Sequence, residues 1–509
     1  MSKHEARSFR FARNVSWTVL GQVLLGVVNL ALVPVVVRGL GLEAYGLYIL
    51  LQTASGYLML LSFGSGAALL RWVSFGSGRG HGRMALDASR YALWMHLGGT
   101  VLGGLAIVAF AGPILERLLR LPPDQLGAAA FVLRCAAVGT VFAALSQAGA
   151  LALQGVQRFD EQALITVVQG GMSLAAAAYL ASHGRGVKAV AAAWVCVNAY
   201  SAAMSLLMAW KTLEPMRHRG DGPPLPASDF MRWSFSAWLG PLAWPIVNQL
   251  DRVIIARSSS SLAGVTLYAI PANLLQRLQL FPAVIGSVLS PMMIELDGHG
   301  ADHDLKRIYL KSVRLVLWAL LPILIVLFAV MPQFLSLWLG GRFGEASVWP
   351  ARLLVVAQAF WLLGTVPGSV TFAKDKPWYT PAWGWAQAVL SVLAWKLLVG
   401  RYQLMGVAAG SLIAQVVPVA FLLRAVHRKV LHLRLSDYAK ALAAPAASAL
   451  LTLAFVFPLH VRVTTWPRLF LISGTSAALF YLSTWWLMGE DDRGVFKRYL
   501  RHRFGSGII

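Results

Sequence analysis

The sequence predicts an all-α polytopic membrane protein with about fourteen transmembrane helices. Apolar residues fill 58% of its 509 positions and charged residues only 13%, about half the charged share of an average soluble domain. Apolar runs of about twenty residues recur along the whole chain, the length a helix needs to cross a bilayer core. The short alternating strands of a transmembrane barrel are missing from the pattern, and in lipid only helices and closed barrels satisfy their own backbone groups.

The net charge is +23. Nucleic acid is excluded as a partner because the basic residues sit between hydrophobic runs rather than on a polar domain. They read instead as topology signals and contacts with anionic membrane lipids. Cys135 and Cys196 both fall within apolar runs, with neither metal spacing nor an expected disulfide.

The first span, 14–37, follows the basic segment MSKHEARSFRFAR. It is too long for a signal-peptide core and lacks a small-residue cleavage site, so it reads as a retained helix. Spans at 46–70, 91–114, 128–153, 162–182 and 187–210 complete a first set of six, separated by short loops. The segment KTLEPMRHRGDGPPLPASDFMR, 211–232, is basic and rich in Pro and Gly, which marks a linker. Spans at 233–256 and 264–292 are joined by a Ser-rich turn and punctuated by Pro241, Pro245, Pro271 and Pro282. Proline inside a span kinks it and provides a bend. Four more runs, at 313–338, 350–373, 379–400 and 405–426, complete a second six, and 440–461 and 468–488 add a pair. The expected organisation is therefore an N-terminal six-helix bundle (1–210), a linker (211–232), a second six-helix bundle (233–426), an additional helix pair (427–489) and a basic tail (490–509).

Most of the 44 Lys and Arg residues fall on the side that holds the N-terminus and alternate loops. By the positive-inside rule both termini are cytoplasmic, in agreement with an even span count. No outward loop has room for a catalytic domain.

An internal repeat relates the two sets of six. Val28-Asn29 is followed by Arg38 and then Leu47-Tyr48, and Val247-Asn248 is followed at the same step by Arg257 and then Leu267-Tyr268. A parallel repeat of this kind gives two pseudo-symmetric bundles with a site between them.

The stretch RGLGLEAYGLY, Arg38 to Tyr48, within ARNVSWTVLGQVLLGVVNLALVPVVVRGLGLEAYGLYILL, resembles the opening of bacterial polysaccharide flippases of the Wzx type. These belong to the multidrug/oligosaccharidyl-lipid/polysaccharide (MOP) exporter superfamily. LQGVQRFDEQAL after span four, and the region from Asn248 to Met293, resemble the same family. The resemblance implies two helical bundles around a central cavity that opens alternately to each side of the bacterial cytoplasmic membrane. It implies no enzyme activity and no bound cofactor. The cargo would be a lipid-linked oligosaccharide on undecaprenyl diphosphate, with the polysaccharide polymerase and chain-length machinery as candidate partners.

Such a cargo combines an anionic diphosphate, a polar head and a long apolar tail. Its path calls for fixed positive charge, hydrogen-bonding groups and aromatic faces. Arg277 is the leading substrate-binding candidate, about 13 residues into span eight and thus near the bilayer middle, with Asn273 on its face. A structural pair with Asp251 is the alternative. Asn248, Asp251 and Arg252 share one face of span seven. Asp251 is a candidate for coupling to proton or sodium movement, since burial favours its neutral form; it can equally orient an arginine. Arg252 can also snorkel to the interface, as can Arg134 in span four. Gln22 and Asn29 in span one, and Tyr48 and Gln52 in span two, form softer pairs at helical spacing. Each of these polar groups can equally serve as interhelical glue.

Two other readings compete. A multidrug or cation antiporter of the same superfamily would favour intramembrane carboxylates, whereas the spans here set Arg134, Arg252 and Arg277 against Asp251. A membrane glycan polymerase or glycosyltransferase would need a sizeable outer loop. No phosphate-binding loop, zinc-protease helix or nucleophile elbow occurs in the sequence.

Overall fold

A computed structural model describes residues 3–217, 223–258 and 261–487. Residues 218–222 of the linker and the tail from 488 onward lie outside the described residues. Every regular element among the described residues is helical. In chain order they are α1 (Lys3–Leu40), α2 (Leu42–Met59), α3 (Ser65–Arg79), α4 (Gly82–Ala109), a single turn α5 (Ala111–Pro113), α6 (Pro123–Gly155), α7 (Phe159–Ser182), α8 (Gly186–Arg217) and α9 (Ala227–Trp238). There follow α10 (Ala243–Ser258), α11 (Ala263–Arg277), α12 (Leu280–Gly298), α13 (Asp302–Leu339), α14 (Gly341–Ala373), α15 (Tyr379–Ala425), α16 (Leu435–Leu459) and α17 (Trp466–Leu487).

Among the described residues, eleven helices are long and apolar enough to cross a membrane. The difference from fourteen arises at three places, each with a local cause. The seventh span is two shorter helices, α9 and α10, broken at Gly240-Pro241. Proline cannot donate to the ladder, and the residue before it is pushed away from helical angles. The eighth is also two helices, α11 and α12. There the turn at Leu278 and Gln279 tightens to i→i+3 bonds just before Pro282, which has no N–H to give.

The third place is α15, which runs for 47 residues but holds Gln403 at φ 47° and ψ −124°. A straight helix of that length would extend about 70 Å, more than twice the hydrocarbon thickness of about 30 Å. Gln387 donates instead to the side-chain oxygen of Gln415. In a straight helix those two residues would stand about 40 Å apart, so α15 is a helical hairpin bent at Gln403.

The chain forms two compact units, one of residues 1–269 with 395–404 and one of 270–394 with 405–509. In the first, the core among α3, α4, α6, α8 and α9 is built on Ala68, Ala85, Ala88, Ala92 and Ala152, with Leu69, Leu153 and Phe230 filling between them. Small residues let membrane helices approach closely where there is no water to expel. The segment from α9 to the start of α11 runs antiparallel along α2 and its continuation. Thr266 donates to the Leu42 carbonyl at 2.6 Å, and Trp238 Nε1 to the Leu60 carbonyl at 2.8 Å. Gly46 faces the backbone of Leu262, and Gly64, at φ 73°, faces that of Ser234.

The second unit is built on α13, which packs against α14, α16 and α17 around Ile325, Ala329, Val330, Val456 and Phe480. Its prolines carry their own compensation. Pro332 leaves the Phe328 carbonyl without its helical partner, and Arg352 Nε of α14 donates to it at 3.0 Å. Pro367 does the same to the Leu363 carbonyl, which accepts from the Tyr438 hydroxyl at 3.4 Å. Helix-breaking prolines are tolerated in membranes because neighbours re-satisfy the freed groups in this way.

Candidate functional site

In the first unit, the polar residues of α10 meet a group of tyrosines. Asp251 and Arg252 are 4% and 5% exposed, so both charges lie in the interior of the unit. The backbone N–H of Arg252 donates to Asp251 Oδ1 at 2.8 Å, and the Tyr268 hydroxyl also hydrogen-bonds this carboxylate. Tyr45 lies within electrostatic range of Arg252, and Tyr57 of both charges. The rings of Tyr45 and Tyr48 are 5.9 Å apart. Two opposite charges buried side by side repay their desolvation only where further hydrogen bonds complete the pair, and here the Arg252 backbone N–H and the Tyr268 hydroxyl both serve the Asp251 carboxylate.

The approach of α10 to α2 is local in origin. Gly56 has no side chain where the amide of Gln249 lies, and a Cβ there would stand 2.3 Å from Gln249 Oε1. Asn248 donates to the Trp244 carbonyl of its own helix at 3.0 Å. Tyr48 is 3% exposed and bonds Gln52, which is exposed. Gln22 and Asn29 are half-buried on α1, with Asn29 donating to the Leu25 carbonyl at 2.7 Å. Arg134 is an exposed residue of α6.

In the second unit, Arg277 is the last residue of α11 and is exposed at the break before α12. No hydrogen bond or ion pair engages it among the described residues. Asn273 is half-buried one turn earlier. Gln279, in the break itself, donates to Gln358 Oε1 of α14 at 3.3 Å. The break thus sets Arg277 on a turn fixed to α14 through Gln279, with Asn273 one helical turn before it.

The structure therefore gathers Asp251, Arg252 and the Tyr48 end of α2 into one unit, and Arg277 with Asn273 into the other. Sequence reasoning overlooked Tyr45, Tyr57 and Tyr268, because a tyrosine in an apolar run reads as filling until its neighbours are known. It also overlooked Arg352, which is 6% exposed and lies over the rings of Trp349, Phe328 and Phe457 at 5.1 to 5.6 Å. Standing at the edge of an apolar run, it reads as interfacial. The available signal was Pro332, which leaves the Phe328 carbonyl in need of a donor.

A profile of the family described as Polysaccharide biosynthesis protein matches residues 87–348. A Shigella flexneri protein named “Putative O-antigen transporter” is 21% identical over 400 residues, which cover 78% of this chain and 93% of that protein. In fold, the chain is similar to the lipid II flippase MurJ in its inward closed conformation, with a TM-score of 0.67, 12% identity and coverage of 96% and 99% of the two chains. It is also similar to a multidrug resistance MATE family transporter of the MOP superfamily in its inward-facing conformation. There the TM-score is 0.64, the identity 15%, and the coverage 80% of this chain and 95% of that one. At such identities the likeness is one of fold.

Proposed function

The chain belongs to the polysaccharide biosynthesis protein family, and on that premise we propose that it is a flippase for a lipid-linked oligosaccharide. Its cargo would be carried on undecaprenyl diphosphate and moved across the bacterial cytoplasmic membrane for cell-surface polysaccharide synthesis. The named function of the Shigella flexneri relative and a fold shared with a lipid II flippase support the reading.

One observation carries it over the antiporter reading. Of the charged groups expected at membrane depth, the acid Asp251 is buried and partnered, whereas Arg277 is exposed and unengaged among the described residues. The charge left available is cationic, and it suits a diphosphate rather than a cationic drug.

In the proposed cycle, the diphosphate and sugars are taken up from the cytoplasmic side, with Arg277 as the central cation, Asn273 beside it in the second unit, and Arg252, Arg134, Asn248, Asn29, Gln22, Tyr48 and Gln52 of the first unit as candidate supporting groups. The two halves then rock about the linker in alternating access. The lipid tail slides along the outside, against the last two helices, and both termini stay cytoplasmic. Asp251 is the group through which proton or sodium movement would assist outward release. The polymerase and chain-length machinery would take up the product.

Complementation of a strain that lacks its own polysaccharide flippase tests this, at matched membrane expression. Wild type and Arg277→Lys should restore surface polysaccharide, Arg277→Ala should lower it by about tenfold or more, and Asp251→Asn should reduce it if coupling runs through that group. Full rescue by Arg277→Ala would remove the central-arginine mechanism. Failure of wild type with several glycans, together with export of cationic drugs, would establish the antiporter instead.

A further inference from the structure

Away from these residues, the first unit holds a groove of about 740 Å3 between α4 and α8. Ala148, Gly149 and Ala152 of α6 form its floor, and Leu93 and Leu206 contribute apolar wall. Four charged side chains line it as well: Arg83, Asp87 and Arg90 of α4, and Glu214 of α8. The first three fall on one face of α4, at steps of four and three. They could pair with one another, yet among the described residues Arg83, Arg90 and Glu214 make neither hydrogen bond nor ion pair. Asp87 accepts the Leu225 backbone N–H at 3.2 Å, which holds its carboxylate in place on α4. Trp210, 58% exposed, stands at the same groove, in the manner of an interface aromatic.

We propose that this groove binds a zwitterionic aminophospholipid, one whose headgroup carries a phosphate diester and a primary ammonium. Two guanidiniums about 10 Å apart along α4 can converge on one phosphate, each as a fork of donors. Two carboxylates in the same groove complement an ammonium with N–H donors. A purely anionic headgroup would meet those carboxylates as repulsion, and a quaternary ammonium would offer them no hydrogen bond. The apolar floor takes an acyl chain, because the small residues of α6 leave a trench where longer side chains would close it. The inference rests on the chain's membrane character and is independent of the flippase reading.

The test is native mass spectrometry of the full-length protein in detergent, titrated with dioleoyl phosphatidylethanolamine, phosphatidylglycerol or phosphatidylcholine. Wild type should retain phosphatidylethanolamine about fivefold better than either other lipid, a difference within reach of one or two charge-assisted hydrogen bonds. Arg83→Ala with Arg90→Ala should lower its binding about tenfold. Glu214→Gln should abolish its advantage over phosphatidylcholine while leaving phosphatidylglycerol binding unchanged or stronger. Arg158→Ala, which removes an arginine paired with Glu161 elsewhere in the unit, should change nothing. Equal retention of the three lipids, or an unaffected double variant, would overturn the proposal. A preference for phosphatidylglycerol that ignores Glu214 would assign the groove to an anionic lipid instead.

Discussion

At the scale of single residues, Arg352 shows how a charge can be structural. Its guanidinium donates to the Phe328 and Ala329 carbonyls at 3.0 and 3.3 Å, in a helix where Pro332 has removed a donor. Arg352→Ala should lower stability in detergent by about 1–3 kcal/mol, the cost of leaving a buried polar group unsatisfied. In a Pro332→Ala background the helix regains its own N–H, so the same substitution should cost clearly less, as a double-mutant cycle by thermal unfolding would show. Equal costs in both backgrounds would mean that packing on the three aromatic rings accounts for the residue. Arg277 differs in each respect: it is exposed, unengaged among the described residues and set at a helix end. Sequence alone placed both arginines in or beside apolar runs and had no means of separating them.

At the scale of elements, the seam of α2 with α9, α10 and the start of α11 depends on two glycines of unequal consequence. A Cβ at Gly46 would stand 2.4 Å from the backbone oxygen of Leu262, whereas at Gly56 it would meet the end of the Gln249 side chain. Backbone cannot step aside, and a side-chain amide can. Gly46→Ala should therefore cost about 1–3 kcal/mol, and Gly56→Ala noticeably less, measured as thermal stability of the purified protein. A reversed order would mean that Gln249 is held more rigidly than the backbone of the α10–α11 turn.

In the second unit, Lys374, just beyond α14, bonds Asp297 of α12 and Asp302 of α13 at 2.6 and 2.5 Å. Partial burial alone would lower the Lys374 pKa, but the two carboxylates outweigh it and hold it above the usual 10.5. A cation whose folded pKa is raised stabilises fully below its unfolded value and loses that contribution as pH rises through the folded one. The melting temperature of wild type should therefore fall more steeply than that of Lys374→Met above about pH 10.5. Parallel curves would show that the three helices are held without this bridge.

At the scale of the whole molecule, the proposed placement of both termini on the cytoplasmic side rests on the expected even span count and the distribution of Lys and Arg. A reporter enzyme active only outside the cytoplasm should be silent when fused after Leu487, and active when fused within the loop that precedes α6, near Pro122. Activity at the C-terminal fusion would invert the topology or change the span parity. The latter would bear on the three places, α9–α10, α11–α12 and α15, where eleven long helices among the described residues and the expected fourteen spans diverge.

The membrane class, the all-helical architecture and the approximate position of nearly every helix were determined by the sequence alone. Composition and run length decide these, because a bilayer accepts very few backbone solutions. Prolines at 241 and 282 also marked the bends in advance. Tertiary structure decided what the charges do. Burial, partners and the approach of one helix to another depend on residues far apart in the chain: Asp251 on Tyr268, Arg352 on Pro332, and Gly46 on Leu262. A hydrophobic run records that a residue lies at membrane depth, but not which neighbour it meets there, and that neighbour decides whether a charge serves as a brace or as a binding group.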